Sequence, residues 1–430
     1  MIERAPKNHN NTLIILTFSI FIVFWGTGWN VPYINISTTT LFLPLIFLVS
    51  IYYNIFKYSF EFRINSIILY FIFYIILIIY FYFGFIKNEL TPESIADTNY
   101  LLDFTIKCCI FPMLLILIPN FILNKKHVIK FVKYSAIFFI PLYIYLHYRF
   151  IYQLGTPFVG VSIEGNGKIG KNAFGGAIAL LYPFFLATYF TQVKKSKLIF
   201  TAILLIIIST IYIKSRSMII VVVIESAVFF LFSHSSKIKR IGTYSLIIIL
   251  VFLSFNYSEN IKKTFMKNNY SGELGQYDIE DENNLSRDET MFLITGKYDY
   301  NYYFLDTHRG WLLHEGIQGF KKSHYLGNGL ASFRIRSTNN NHKTDTHNDI
   351  ILILYETGII GLFALSVFFS YFIFKSYKLS KSKQDYFLDA SLASSLGTLI
   401  FMIFTNIISS PLPWVIIALN VSIINYNQRN

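Results

Sequence analysis

Apolar positions in this chain fall into runs of about twenty residues, roughly the length a helix needs to cross a hydrocarbon layer, separated by short segments rich in Lys and Arg. The runs predict helices at 12–29, 38–56, 64–85, 101–123, 131–150, 172–193, 198–213, 217–232, 243–256, 348–374, 386–408 and 412–425. The first follows Arg4 and Lys7 without a small-residue cleavage site after it, so it reads as a retained signal anchor. The expected fold is an all-α integral membrane protein of about 12 transmembrane helices.

Segment 257–346 departs from the pattern, gaining Asn, Asp, Glu, Lys and Tyr and losing long apolar runs. It divides the chain into helices 1–9 (residues 1–256), a large loop (257–346) and helices 10–12 (347–430). Within the loop, Trp311, Leu312, Ile317 and Phe320 have the spacing of a short amphipathic helix, and Gly327 with Gly329 predicts a turn after it.

Charge fixes an orientation, because cytoplasmic loops carry the excess of Lys and Arg. One set of loops holds Lys57 and Arg63; Lys125, Lys126 and Lys130; Lys194, Lys195 and Lys197; Lys237, Lys239 and Arg240; and Lys375, Lys378, Lys381 and Lys383. The alternate set has none in 26–37, Lys87 alone in 86–100 and none in 409–411. Both termini are therefore expected in the cytoplasm, with the 214–217 turn and the large loop on the opposite, extracytoplasmic side.

Composition agrees with this picture: 54% of residues are hydrophobic and 14% charged, against roughly 25% charged in an average soluble domain. The net charge of +13 is scattered through the short loops, which argues against nucleic acid as a partner. Cys108 and Cys109 are adjacent within an apolar run and suit neither a disulfide nor a metal site. His308, His314, His324 and His342 have no zinc-like spacing with Cys or Glu, so no metal is expected. Gly165–Gly170 matches a dinucleotide fingerprint in letters, but no strand is expected before it.

The richest stretch runs from Thr346 to Gly361, through His347, Asn348, Glu356 and Gly358. His347 enters the membrane at the first turn of the tenth helix, Thr346 or Asn348 is placed to cap that helix, and Gly358 with Gly361 would let a neighbour approach. Position alone leaves two readings of His347: an interfacial side chain bonded to the loop, or a group at the mouth of the bundle within reach of a polar substrate. Arg216 lies in a very short turn between apolar helices and reads as either a snorkelling cation or a paired one. Arg309 would be an ordinary solvated loop arginine. Asp103 and Lys107 are spaced to pair on one helix face, while Glu225 and Glu356 are intramembrane acids.

His347-Asn348, nine residues, then Gly358-x-x-Gly361 resembles the histidine signature of the bacterial O-antigen ligase superfamily, which also includes O-antigen and exopolysaccharide polymerases. Lys214-Ser215-Arg216-Ser217 resembles that family's Ser-Arg turn, Arg309-Gly310-Trp311 its loop arginine followed by an aromatic, and Lys171–Gly176 its Asn and Gly pattern. The likeness spans roughly residues 165 to 425.

The resemblance implies a glycosyltransferase that takes a glycan from undecaprenyl diphosphate at the periplasmic face of the inner membrane, by inversion and without metal or cofactor. The acceptor would be lipid A-core for a ligase, or another lipid-linked repeat unit for a polymerase. Catalysis would fall to His347, Arg216 and Arg309, and substrate binding to Arg216, Arg309, Asn348 and Trp311. The chemistry is coherent: a departing diphosphate suits two arginines that can each bond it bidentately, and a neutral His347 can take the acceptor hydroxyl's proton. A lipid-linked oligosaccharide flippase or other transporter is the rival reading, although it predicts short loops on both sides.

Overall fold

The structure, a computed structural model, describes residues 75–76, 78–84, 86, 95–111, 114–148, 161–163, 167–169, 171–192, 195–212, 216–232, 307–336, 346, 348–407 and 411–429. The expected helices at 12–29, 38–56 and 243–256, and much of the large loop, lie outside them. Among the described residues the chain is almost wholly helical, and residues 78–84 belong to the expected third helix. The elements that follow are α1 (Ile95–Ile110), α2 (Leu114–Phe121), α3 (Lys125–Tyr148), β1 (Val161–Ile163), β2 (Gly167–Ile169), α4 (Lys171–Thr191), α5 (Lys197–Tyr212) and α6 (Arg216–Phe232). After the large loop come α7 (Thr307–Lys322), α8 (Ser332–Arg336), α9 (Asp349–Lys383), α10 (Tyr386–Phe404) and α11 (Pro411–Arg429).

Two of these, α9 and α10, are long and apolar enough to cross a membrane.

Several boundaries differ from the expected ones. The run 101–123 is divided into α1 and α2, with Pro112 between them; proline lacks the amide a continuous helix needs and restricts the residue before it. Helix α3 begins at Lys125, because Asn124 caps it by accepting from the His127 amide at 3.0 Å. Likewise α9 runs on to Lys383, so the lysines read as a loop form its last turns, where cations complement the carbonyl end. A short strand does precede the Gly165–Gly170 letters, but it pairs antiparallel with β2, Val161 opposite Ile169, as a hairpin and not a dinucleotide-binding unit.

At the centre of the bundle α10 packs against α4, α6, α9 and α11. Its small residues allow this: Ala390, Ala393, Ser391, Ser394 and Gly397 sit where larger side chains would hold neighbours apart. Hydroxyls then find partners across helices. Ser394 donates to the Leu180 carbonyl at 2.9 Å, Asn420 to Ser395 at 2.8 Å, and Ser376 and Ser391 share a bond of 2.9 Å. The carboxyl of Glu225 lies directly over Gly397. On α1, Lys107 pairs with Asp103 one turn away, as the spacing predicts.

These contacts also give directions. Helices α9 and α10 are antiparallel, joined where Gln384 adopts a left-handed conformation (φ 51°) and Asp385 caps α10. The rings of Phe190 on α4 and Phe229 on α6 both lie near Tyr386, at 5.9 and 6.4 Å, while Leu180 and Glu225 meet Ser394 and Gly397. So α4 and α6 also run antiparallel to α10, and the N-terminal ends of α4, α6 and α9 gather at the C-terminal end of α10.

Candidate functional site

Asn348 is the cap of α9: with extended backbone (φ −152°, ψ 108°), its side chain accepts from the Ile351 amide at 3.1 Å. Thr346 supports it, receiving the Asn348 amide at 3.2 Å and donating to the Asn348 carbonyl at 2.7 Å. Both residues named as possible caps therefore act at this end. His347 itself lies outside the described residues.

Asp349, the first residue of α9, is fully buried. It accepts from the Ile407 amide at 2.7 Å, which ties the start of α9 to the turn that ends α10. Asn406 of the same turn meets Thr346 at 3.4 Å. Asp349 was not among the expected site residues. Its signal was its place directly after His347-Asn348, where a carboxylate also meets the positive end of a helix.

Helix α7 lies along the first part of α9. A side chain on Gly316 would strike Ile351, and one on Gly319 would strike the ring of Tyr355, so these two glycines form the contact face. Leu312, one turn earlier, is buried in a cluster with Leu352 and Tyr355. Ile317 and Phe320, expected to face the core, are only half-buried: closeness of the two backbones, not bulk, decides which face of α7 packs. The pairs 316/351 and 319/355 advance together, so the helices run parallel, and the first turns of α7, with Arg309 and Trp311, lie toward the Asn348 end of α9. Arg216 begins α6, whose N-terminal end gathers at that same end of the bundle.

A neighbour does approach closely at Gly358, but it is the turn 325–329 that does so, at a break in the helix. At Gly358 α9 is interrupted, with φ 64° and ψ −161°, a conformation open essentially to glycine alone. The interruption releases the bond that would join the Ile359 amide to the Tyr355 carbonyl. The turn after α7 takes both groups: Ile359 donates to the Tyr325 carbonyl at 3.0 Å, and Tyr355 accepts from the Asn328 amide at 2.9 Å. The Glu356 carbonyl accepts from the Gly329 amide at 2.8 Å. Irregular backbone within a membrane protein survives where protein groups satisfy it in this way.

Glycine is required on the loop side as well. Gly327 (φ 91°) has the Glu356 carbonyl and the Gly358 amide each 2.6 Å from where a side chain would begin, and Gly329 (φ 96°) abuts Gly84 of the third helix. Among the described residues Gly361 makes room for Thr357, whose hydroxyl bonds the Ile353 carbonyl at 2.8 Å. The predicted turn at Gly327 and Gly329 and the glycine pair of the histidine signature are thus one assembly, with Tyr80 closing it by donating to the Leu326 carbonyl at 3.0 Å.

Residues 200–366 match the family described as O-antigen ligase. That match, over 167 of the 430 residues, supports the likeness to the O-antigen ligase and polymerase superfamily. No curated protein matches the chain. The matched span takes in Arg216, Arg309, Trp311, His347 and Asn348 and ends just past the interruption of α9. The match to the O-antigen ligase family and the two apolar helices α9 and α10 together support an integral membrane protein of the ligase or polymerase type.

Proposed function

We propose that the protein is a membrane glycosyltransferase of the O-antigen ligase type. It would move a glycan from undecaprenyl diphosphate to a saccharide on lipid A-core at the periplasmic face of the inner membrane. The family match over 200–366 carries this reading. The gathering of three helix N-termini at the Asn348 end of the bundle supports it, because amide-rich helix starts favour an anion such as a diphosphate. At the opposite end, Lys125 bonds Asp385 at 2.8 Å beside the basic last turns of α9, consistent with that end facing the cytoplasm.

In this reading the acceptor hydroxyl attacks the anomeric carbon as the bond to diphosphate breaks. His347 takes the hydroxyl proton or orients the acceptor. Arg216 and Arg309 hold the diphosphate and its growing charge, a task that needs no metal. Asn348 fixes the helix end beside His347, and Trp311 offers a flat face to a sugar ring. Domain limits follow the same reading: transmembrane helices over 1–256 and 347–430, and a periplasmic loop over 257–346.

A polymerase of the same superfamily, with another lipid-linked repeat unit as acceptor, is the second reading, since the resemblance carried by His347-Asn348 and Gly358-x-x-Gly361 extends to polymerases and the match over 200–366 does not separate the two. Glycan analysis of a deletion strain complemented with wild type or His347→Ala separates them. Long undecaprenyl-linked polymer left unattached to core identifies a ligase; single repeat units identify a polymerase. Normal glycan in the His347→Ala strain removes the role given to His347.

A further inference from the structure

The turn between α7 and α8 touches α7, which holds Arg309, and α9, which begins two residues after His347 in the sequence, and one side chain in it bonds to each. The Asn328 side-chain amide donates to the Gly319 carbonyl, near the end of α7, at 3.2 Å, and to the Tyr355 carbonyl of α9 at 3.1 Å. Its backbone amide donates to Tyr355 as well. The two acceptors differ. Gly319, in the last turn of α7, keeps its regular bond from the Ser323 amide at 3.0 Å and takes the Asn328 amide on its second lone pair, whereas Tyr355 is the group released by the interruption at Gly358. Asn328 is therefore a clamp from the end of α7 to the point where α9 has lost its regular bond, and an aspartate or a hydrocarbon there could not supply the side-chain donors.

We propose that Asn328 is a positioning residue for glycosyl transfer. By bridging Gly319 and Tyr355 it fixes the parallel register of α7 against the first part of α9, and so the placement of the first turn of α7, with Arg309, against the Asn348 cap that follows His347 in the sequence. This rests on the transferase reading of Arg309 and His347. The clamp works with the glycine contacts and the backbone bonds, not in place of them: Gly316 and Gly319 let the helices touch, the backbone of Tyr325, Asn328 and Gly329 ties the turn to α9, and the Asn328 side chain adds a directed link from α9 back to α7 itself at Gly319. A shift of about 1 Å between reacting groups is enough to cost about a hundredfold in rate.

The test uses full-length protein in nanodiscs, with the undecaprenyl-linked glycan extracted from the deletion strain as donor and release of undecaprenyl diphosphate as readout. Asn328→Asp keeps the size and removes both side-chain donors. The expected result is a fall in kcat of about tenfold or more with donor KM within about twofold. In an Arg309→Ala background the same change should cost less than about twofold, because a clamp that acts by placing Arg309 has nothing left to place. An equal loss in both backgrounds, or wild-type kcat in Asn328→Asp, overturns the proposal.

A second readout is independent of catalysis. Nitroxides on Lys321→Cys and Ile360→Cys, both exposed positions, in a Cys108→Ser, Cys109→Ser background report the spacing of the two helices. Asn328→Asp should weaken and spread their dipolar broadening; unchanged broadening overturns the clamp. If wild type releases no undecaprenyl diphosphate, the transferase reading fails, and the spin-label result still decides the geometry.

Discussion

The Ile359 amide of α9 donates to the carbonyl of Tyr325, at 3.0 Å, and not to that of Tyr355 one turn before it. A membrane helix is thus opened at Gly358, and its exposed groups are taken by a loop from another part of the chain. Gly358→Ala forces an L side chain into φ 64° and against the backbone of Leu326. The expected loss is about 1–3 kcal/mol from the backbone conformation alone, with more from the contact. It is measured as a lower Tm in detergent and reduced monodisperse yield.

Asp385 joins three helices at the opposite end. It caps α10 through the Phe387 amide at 3.2 Å and accepts from Lys125 at 2.8 Å, from Tyr426 at 3.1 Å and from Asn427 at 3.4 Å. Asp385→Ala removes the cap and strands a buried tyrosine hydroxyl, at a cost of roughly 2–4 kcal/mol. Lys125 is 41% exposed, so Lys125→Ala is expected to cost less than about 1 kcal/mol. Thermal melts of the two variants check the order.

Asp349 holds the turn after α10 to the start of α9 through the Ile407 amide. Asn retains an acceptor there and Ala does not. Asp349→Ala is expected to lose about 1–3 kcal/mol and to lower transfer, whereas Asp349→Asn stays near wild type in both. An Asn variant that is stable yet inactive would show that the charge itself acts on the neighbouring His347.

Arg216→Lys and Arg309→Lys preserve charge and remove the planar fork. If each arginine grips the diphosphate through paired bonds, each lysine variant is expected to lose about tenfold or more in kcat without a change in Tm. Wild-type rates in both variants would assign the arginines to solvated or snorkelling positions.

The helices α4, α5, α6, α10 and α11 were legible because apolar composition alone decides where a segment of this length sits in a membrane. Their ends were less so. Lys125 and Lys381 are polar but good helix formers, so α3 and α9 extend through residues that read as loop. The opening at Gly358 was not legible locally, since Thr357-Gly358-Ile359-Ile360 continues an apolar helix; what decides it is the turn 325–329, distant in sequence and joined to it by backbone bonds that carry no side-chain signature.

Of the candidate site, the letters around His347, Arg216 and Arg309 were visible as motif. Asn328 was not, because an asparagine between two glycines reads as an ordinary turn until its partners are known.

The most direct measurement is release of undecaprenyl diphosphate by the purified protein in nanodiscs, given lipid-linked glycan and lipid A-core with a chelator present. The transferase reading predicts stoichiometric release and a core-attached glycan in wild type, and neither with His347→Ala. Glycan transported across the bilayer with its diphosphate linkage intact, and no undecaprenyl diphosphate released, would contradict it.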